Sequence, residues 1–146
     1  MKLSELRRMT HSYTRDTNGY VFQDYDIDIY INQAIDRIRQ YPIFRNMPYL
    51  HNDNDEPSYV PPHYHYMLAL FSASRCYDID ERFYEGTNKR NEFETLLDDL
   101  IAEVEAGMQP IYDENGVEVE NPANYTDEIR NVYHTSSIKD EDVIGI

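Results

Sequence analysis

Two histidines and a group of acidic residues are the first candidates for chemistry in this sequence. His63 and His65 follow the run 51–56, which adds one more histidine and three carboxylates. On a helix, residues two positions apart point about 200° away from each other, whereas imidazoles that share a metal ion need a spacing of three or four residues. The spacing therefore favours a solvated helix start over a metal site. A histidine-metal hydrolase is the least favoured function.

The other reactive residue types form no catalytic constellation. Cys76 is the only cysteine, so no intramolecular disulfide can form, and we expect a small buried side chain rather than a nucleophile. The five glycines are too scattered to build a phosphate-binding loop. The segment 113–118 resembles a calcium loop but lacks its ligand spacing. We therefore predict no enzymatic activity, no catalytic residue, no cofactor and no metal.

The net charge limits the classes of partner that the protein is expected to bind. The 146 residues include 28 acidic and 13 basic ones, which gives a net charge of −15. Such a field repels phosphates, so a sequence-reading DNA-binding module and a protein that binds anionic membranes are both disfavoured. The charge is uneven, because residues 1–23 are basic on balance while residues 108–146 are strongly acidic. The charged start and the lack of a long apolar run predict a cytosolic chain without a membrane span.

Apolar residues at three-four spacing predict four helices. The first carries Leu3, Leu6 and Met9 and should end before the turn signal at 16–19. The second should start at Asp24 or Asp26 as a cap and stop before Pro42. Its inward side is predicted to consist of Ile27, Ile31, Ala34, Ile38 and Tyr41.

The third and fourth helices follow a long connection. Residues 42–62 contain five prolines and a polar run, so they should form an irregular loop, and Pro61 or Pro62 then suits the first turn of the third helix. The fourth helix is predicted from Asp80 to Ala106, with its weak point at 86–88. The inward sides are predicted to consist, in the third helix, of Tyr64, Met67, Leu68, Phe71 and Ser74 or Arg75, and, in the fourth, of Phe93, Leu96, Leu97, Leu100, Ile101 and Val104.

Residues beyond Gly107 are predicted to leave the helical pattern. Residues 111–119 alternate around Asn115-Gly116, which predicts a β-hairpin with a two-residue turn and positive φ at both central positions. The predicted fold is all-α: a small antiparallel helical bundle with a short β-hairpin and an extended C-terminal tail. The predicted organisation is a bundle over 1–107, a hairpin over 108–120 and an arm over 121–146.

Tyrosine is unusually frequent, with fourteen copies and no tryptophan. A tyrosine ring covers apolar area and keeps a wettable hydroxyl, which suits contacts between proteins. The alternative is that a small core recruits tyrosine as filler. For contacts between subunits, the candidates in loops are Tyr49, Tyr59 and Tyr112.

Several segments together resemble one protein family. They are Ile31–Ile35, Arg45–Leu50, Tyr64–Tyr77, Asp80–Tyr84 and Asn91–Leu96, in this order along the chain. Between about residues 3 and 116 the sequence resembles the head-tail connector, or adaptor, proteins of tailed bacteriophages. The resemblance implies a helical-bundle subunit repeated in a ring of about twelve copies beneath the portal, where it extends the DNA channel toward the tail. The resemblance identifies no catalytic residue in this sequence.

The resemblance also implies partners and a location. Double-stranded DNA would pass through an acidic lumen without sequence-specific binding, and a downstream connector, stopper or tail protein would follow the ring. The location would be the head-tail interface of the virion, after assembly in the host cytoplasm. Residues predicted to anchor the C-terminal extension on the portal are Tyr125, Ile129, Tyr133, Val143, Ile144 and Ile146. The alternative is a soluble acidic binding module that mimics DNA and forms no ring.

Overall fold

A computed structural model describes residues 1–16, 19 and 21–121. This part of the chain is all-α, as the sequence predicts, and contains no β-strand. Short 3₁₀ turns at Pro42–Phe44 and Pro62–Tyr64 flank the long connection. The helices are α1 (Leu3–Tyr13), α2 (Asp24–Ile38), α3 (Met67–Ile79) and α4 (Phe83–Glu105).

Helix α3 is the centre of the molecule and packs against each of the other three helices. Every residue from Met67 to Ser74 is buried, so this helix has no solvated face over two turns. The sequence predicted one inward side, and the small residues Ala69, Ser72 and Ala73 explain the difference, because they let neighbouring helices approach on the remaining sides. A helix that is buried all round must be covered by others, and α1, α2 and α4 provide that cover.

The helices alternate in direction, as expected for an antiparallel bundle. The Tyr77 hydroxyl near the end of α3 donates a hydrogen bond to the Tyr13 carbonyl at the end of α1, at 2.7 Å. At the opposite end, the Tyr64 hydroxyl donates to the Glu103 carboxylate at 2.9 Å. We call the end formed by residues 14–16, 19, 21–25 and 78–85 the turn end. We call the end formed by residues 42–62 and 103–121 the loop end.

The boundaries of α1 and α2 follow the predicted stripes. Leu3 and Leu6 are buried, and α1 ends before Arg15, which has a φ of 61°. Most of the predicted stripe of α2 is buried, but the helix starts at Asp24 with Gln23 as its N-cap, so neither predicted aspartate caps it. Tyr41 lies beyond the end of α2 and is half-buried.

Helices α3 and α4 both begin later than predicted. Pro62 opens a 3₁₀ turn, and α3 starts only at Met67. Helix α4 starts at Phe83, and Gly86 is a point of close contact in it rather than a weak point. A Cβ at Gly86 would overlap the Asp78 carboxylate and lie 3.1 Å from the Ser74 carbonyl oxygen. A larger residue would have to displace the Asp78 side chain and the Ser74 carbonyl, so glycine lets α3 and α4 approach closely at this position.

The predicted hairpin is reduced to a bridged turn. One antiparallel bridge joins Tyr112 to Glu118, and the Asp113 amide donates to the Val117 carbonyl at 2.9 Å. Gly116 has a φ of 76°, whereas the φ of Asn115 is not positive. The prediction of a two-residue turn with two positive φ angles is therefore wrong. A three-residue loop closed by glycine takes its place.

Residues 108–121 contact the helical bundle. Ile111 is buried in the common core, and the Asn121 side-chain amide donates to the Val104 carbonyl at 2.8 Å. The rest of the predicted arm, residues 122–146, lies outside the described residues. Within the described part of the chain, no helix combines the length and the apolar character needed to cross a membrane.

Candidate interaction surfaces

The long connection at the loop end is fixed to the first two helices. The Leu3 amide donates to the Asp55 carbonyl at 2.8 Å, and the Asn32 side chain makes two 2.9 Å hydrogen bonds with the backbone of Leu50. Arg7 makes a bidentate contact with Asp28 at 2.7 and 2.8 Å. The same guanidinium also binds the Asp53 carboxylate in the connection. These contacts hold a sequence rich in proline and short polar residues in one conformation.

A second segment, 111–121, lies beside this connection. The Tyr59 amide donates to the Tyr112 carbonyl at 2.7 Å, which ties the two segments together. Tyr59 has a φ of 65°, an unusual conformation for a residue with a Cβ, and its ring is 8% exposed. The buried ring and this hydrogen bond explain how the strained backbone is retained.

Together these segments create an acidic surface. A shallow groove of about 540 Å³ between them is lined by the carboxylates of Asp55, Glu56, Asp113 and Glu114. Residues 103–120 include six acidic residues and no lysine or arginine. The Asp55 carboxylate accepts hydrogen bonds from the Asn52 and His51 amides, and these bonds lower its pKa. We call the set Asp53, Asp55, Glu56, Asp113, Glu114, Glu118 and Glu120 the acidic end surface.

The three predicted contact tyrosines meet at the loop end, but they differ in accessibility. Tyr49 and Tyr112 are 38% and 49% exposed. The Tyr49 hydroxyl donates to Asp36, which raises the pKa of the phenol, and the Arg39 guanidinium lies 4.9 Å from the ring centre. Tyr59 is buried within the subunit. Tyr49 and Tyr112 are exposed, and contact of these tyrosines with another chain stays a prediction.

The two neighbouring histidines have different environments. His63 is exposed, whereas His65 is 3% exposed, so the expectation of two solvated imidazoles is wrong for His65. His65 Nε2 lies 2.7 Å from the Val60 carbonyl oxygen, and Nδ1 lies 2.6 Å from the amino group of Met1. Burial lowers the pKa of His65. Residues 1–16, 19 and 21–121 contain no group of three or more side chains suited to hold a metal ion.

Cys76 is fully buried, as the sequence predicts. Burial raises the pKa of its thiol to about 12, and the nearby charges of Asp16 and Asp26 act in the same direction. The thiolate is therefore disfavoured at neutral pH, and the side chain serves as a small apolar group in the core.

The turn end carries an apolar surface that the sequence analysis missed. Five large apolar side chains there are 55–77% exposed, among them Phe83 and Tyr84 at the start of α4. The signal available in the sequence was that both aromatics precede the stripe of α4, which begins at Phe93. Several exposed large apolar side chains at one end of a protein are candidates for a contact surface. The set is Val21, Tyr25, Ile79, Phe83 and Tyr84.

Comparisons with known proteins assign neither a family nor a function to this chain. No family model matches the chain. No curated protein and no solved structure matches it either. The interpretation of the surfaces therefore depends on their own charge, exposure and contacts. The residues predicted to bind the portal, Tyr125, Ile129, Tyr133, Val143, Ile144 and Ile146, lie outside the described residues.

Proposed function

We propose that this protein is a structural subunit of a bacteriophage head-tail connector, in which a ring of copies surrounds the DNA channel below the portal. The observation that carries the proposal is the acidic end surface, which gathers seven carboxylates from two segments at one end of an all-α bundle. In this arrangement the loop end faces the channel. The ring assembly is taken from the resemblance to connector proteins. The orientation of each subunit, with its loop end toward the channel, is inferred from the charge distribution.

The physical reason for this orientation is the charge of the cargo. Double-stranded DNA carries one negative charge per about 1.7 Å of its axis, so cationic walls would bind it tightly. Carboxylates repel the phosphates and keep the duplex away from the wall. Such a lining reads no sequence and catalyses no reaction. It allows the DNA to move in both directions during packaging and ejection.

The other predicted partners occupy the remaining surfaces. The portal would bind the C-terminal residues named above, and Tyr49 and Tyr112 would contribute to contacts at the loop end. The next protein toward the tail would bind the opposite face of the ring. The protein would then act in the virion at the capsid vertex, after assembly in the host cytoplasm.

Reconstitution tests the assembly. The full chain would be mixed with the portal protein of the same virus, and the particles would be measured by light scattering and negative-stain microscopy. We expect annular particles coaxial with the portal. Substituting Ile129 and Tyr133 by serine should abolish binding to the portal, whereas Tyr84→Ser should leave it unchanged. Particles in which the protein lies away from the vertex axis would contradict the proposal.

A charge reversal tests the orientation. Glu114→Lys with Glu120→Lys places cations on the acidic end surface, and both positions are exposed. We expect rings to form normally and DNA ejection to slow down, with the delay largest at low salt, where electrostatic attraction is strongest. The control is Asp80→Lys with Glu85→Lys at the turn end, which makes the same change in net charge. Equal ejection rates in both variants would show that the loop end does not face DNA.

A DNA mimic is the second candidate, and one observation favours it. Between residues 91 and 105, α4 has six acidic residues and no basic one, and four of the acids are exposed. Such a helix could occupy the basic groove of a nucleic-acid enzyme. A one-to-one complex with a basic enzyme, together with an absence of rings in the presence of portal, would favour this function over the connector.

A further inference from the structure

A shallow groove along the seam between α3 and α4 has an apolar floor. It has a volume of about 410 Å³, and its floor is made by Tyr66, Leu70 and Leu96. Leu70 is buried, whereas Tyr66 and Leu96 are only partly buried against the core. Leu96 belongs to the predicted inward side of α4, yet the described part of the chain leaves one side of it uncovered. The groove is therefore a place where a further apolar segment can extend the core.

The edge of this groove carries less charge than the rest of α4. Four of the five exposed residues between 87 and 95 are uncharged, whereas three of the four between 98 and 105 are acidic. Burying a charge costs far more than burying a neutral polar group that keeps a hydrogen bond, and the centres of interfaces are poor in charge for this reason. This part of α4 is therefore suited to being covered. The residues at the edge are Asn88, Asn91, Glu92 and Thr95.

The chain itself contains an apolar segment of matching length. Tyr125, Ile129 and Tyr133 follow one another at intervals of four residues, which in a helix would place them on one side over about 12 Å. The groove extends from Asn88 to Leu96, which is also eight residues, or about 12 Å along α4. Tyrosine rings cover apolar surface, and their hydroxyls need polar partners. The amide and hydroxyl groups at the edge of the groove provide such partners.

The connection to this segment is long enough to reach the groove. The Asn121 side-chain amide donates to the Val104 carbonyl at 2.8 Å, which fixes the start of the segment at the loop end. Leu96 lies eight residues before Val104, or about 12 Å along α4. The four residues from Asn121 to Tyr125 can span up to about 14 Å. Tyr125 can therefore reach Leu96. Because a short tether gives an effective concentration of about a millimolar, a weak contact is enough.

From these observations we infer that residues 125–133 occupy the groove between α3 and α4 in the free subunit and leave it to bind the portal. The second part rests on the proposed function, which assigns Tyr125, Ile129 and Tyr133 to the portal, whereas the docking does not. A segment that is accessible for about one tenth of the time binds its partner about tenfold more weakly than a fully accessible one. The groove therefore limits portal binding until the portal competes for the segment.

Charges placed at the groove test the docking in the full chain. In a variant with Asn91→Glu and Thr95→Glu, the segment could cover the groove only by desolvating two carboxylates. Trypsin cleaves after Arg130 when the segment is undocked, so the cleavage rate reports the accessible fraction. We expect about a tenfold rise in this rate. Cleavage after Lys139, which lies outside residues 125–133, should not change.

A matched control separates docking from net charge. Thr87→Glu with Ala102→Glu makes the same change in net charge at two exposed positions of α4 outside the groove. Its cleavage pattern should equal that of the wild type. Circular dichroism and the thermal midpoint establish that both variants are folded. Faster cleavage after Arg130 in the control as well would show that charge, and not the groove, governs access to the segment.

A cross-link provides a second measurement and identifies the chain that supplies the segment. With Asn91→Cys and Glu128→Cys in one chain, a short thiol reagent should join the two positions within the monomer at every protein concentration, since Cys76 is buried. Asp26→Cys with Glu128→Cys, on the exposed side of α2, is the control and should be joined far less. Equal yields in both pairs, or links formed mainly between chains, would overturn docking within the subunit.

Portal binding distinguishes the inference from the proposed function. The groove variant should bind the portal about tenfold more tightly than the wild type, by the same factor as the rise in cleavage after Arg130. Unchanged cleavage in a folded groove variant overturns the docking and leaves the connector proposal standing. Faster cleavage with unchanged portal affinity overturns the competition. A wild type that does not bind the portal contradicts the connector proposal, while cleavage and cross-linking still decide the docking.

Discussion

The turn end and the loop end of the bundle both expose aromatic side chains, but they differ in how many of their acidic residues lie near a cation. At the turn end, acids have cations close by: Arg82 contacts Glu85 at 3.0 Å, and Arg90 contacts Asp78 at 3.6 Å. At the loop end, Arg7 binds Asp53 and the Met1 amino group lies 3.4 Å from Glu56, but residues 103–120 bring six further acids and no lysine or arginine. A net charge taken over the whole chain hides this difference. The difference teaches that the excess negative charge is concentrated at one end of the bundle, whereas the exposed large apolar side chains of the other end stand beside paired acids.

The largest expected effect is a difference in stability between alanine substitutions of two phenylalanines in α4. Phe93 is fully buried and packs edge-on against Phe71 at 5.0 Å, whereas Phe83 at the turn end is 61% exposed. We expect Phe93→Ala to lower the free energy of unfolding by about 3–5 kcal/mol. Phe83→Ala should change it by less than about 0.5 kcal/mol. Urea unfolding measures both, and equal losses would mean that the turn-end aromatics support the fold rather than a contact.

A smaller effect is expected for Gly86→Ala, which tests the close approach of α3 and α4 near the turn end. Overpacking costs about 1–3 kcal/mol, and the better helix propensity of alanine returns about 1 kcal/mol. We therefore expect a net loss of up to about 2 kcal/mol in thermal or urea unfolding. Asn88→Ala, at an exposed site nearby, is the control and should not destabilise the protein. A stabilised Gly86→Ala protein would show that the two helices can move apart.

Different pH windows should distinguish the two ends. Burial lowers the pKa of His65 at the loop end, so the unfolded state binds more protons, and its contribution to stability is lost as pH falls through about 6.5. At the turn end, burial alone would raise the pKa of Asp16, but hydrogen bonds from the Phe22 and Val21 amides outweigh it and lower the pKa. Its contribution is lost only below about pH 4.

The measurement is the urea midpoint between pH 8 and pH 3 for the wild type, His65→Gln and Asp16→Asn. His65→Gln should flatten the curve between pH 7 and 5, and Asp16→Asn should flatten it only at the acidic limit. Glutamine retains a donor for the Val60 carbonyl, which makes it the milder replacement. A His65→Gln curve parallel to that of the wild type above pH 5 would rule out the buried neutral imidazole as a source of pH dependence.

The smallest expected effect is a gain in stability from a substitution at the loop end. Glu105→Lys places a cation at the C-terminus of α4 and should stabilise the subunit by about 0.3–1 kcal/mol at low salt. Asp98→Lys makes the same change of charge about two turns earlier and serves as the control, with a smaller gain expected. Thermal unfolding at two salt concentrations measures the difference, which salt should reduce. Equal gains at both sites would indicate general charge relief instead of an effect of the helix end.

The sequence predicted the helices where one side is buried and the other is solvated. In α2 the spacing of Ile27, Ile31 and Ile38 identified both the element and its inward side. In α3 it identified the element but not the extent of burial, because a helix covered on all sides has no stripe to read. The composition also predicted that residues near the C-terminal half are acidic. It could not predict that these acids form one surface, because that surface depends on a contact between two segments about fifty residues apart in the chain.

Contacts between distant residues explain what the sequence could not predict. Nothing local to His65 shows that the Met1 amino group, 64 residues away, will contact its ring. Gly86 looks like a helix breaker until Asp78 and Ser74 are placed opposite it. Tyr59 resembles its neighbours Tyr49 and Tyr112 in composition, and only the fold separates the buried ring from the accessible ones. In each case the deciding group comes from another element.

The three-way contact of Arg7 has a consequence for the kinetics of folding. Its partners Asp28 and Asp53 lie 21 and 46 residues away in the chain, so the contact can form only after two large loops have closed. If the contact forms after the transition state, its loss mainly accelerates unfolding. We therefore expect Arg7 to extend the lifetime of the native state more than it speeds folding.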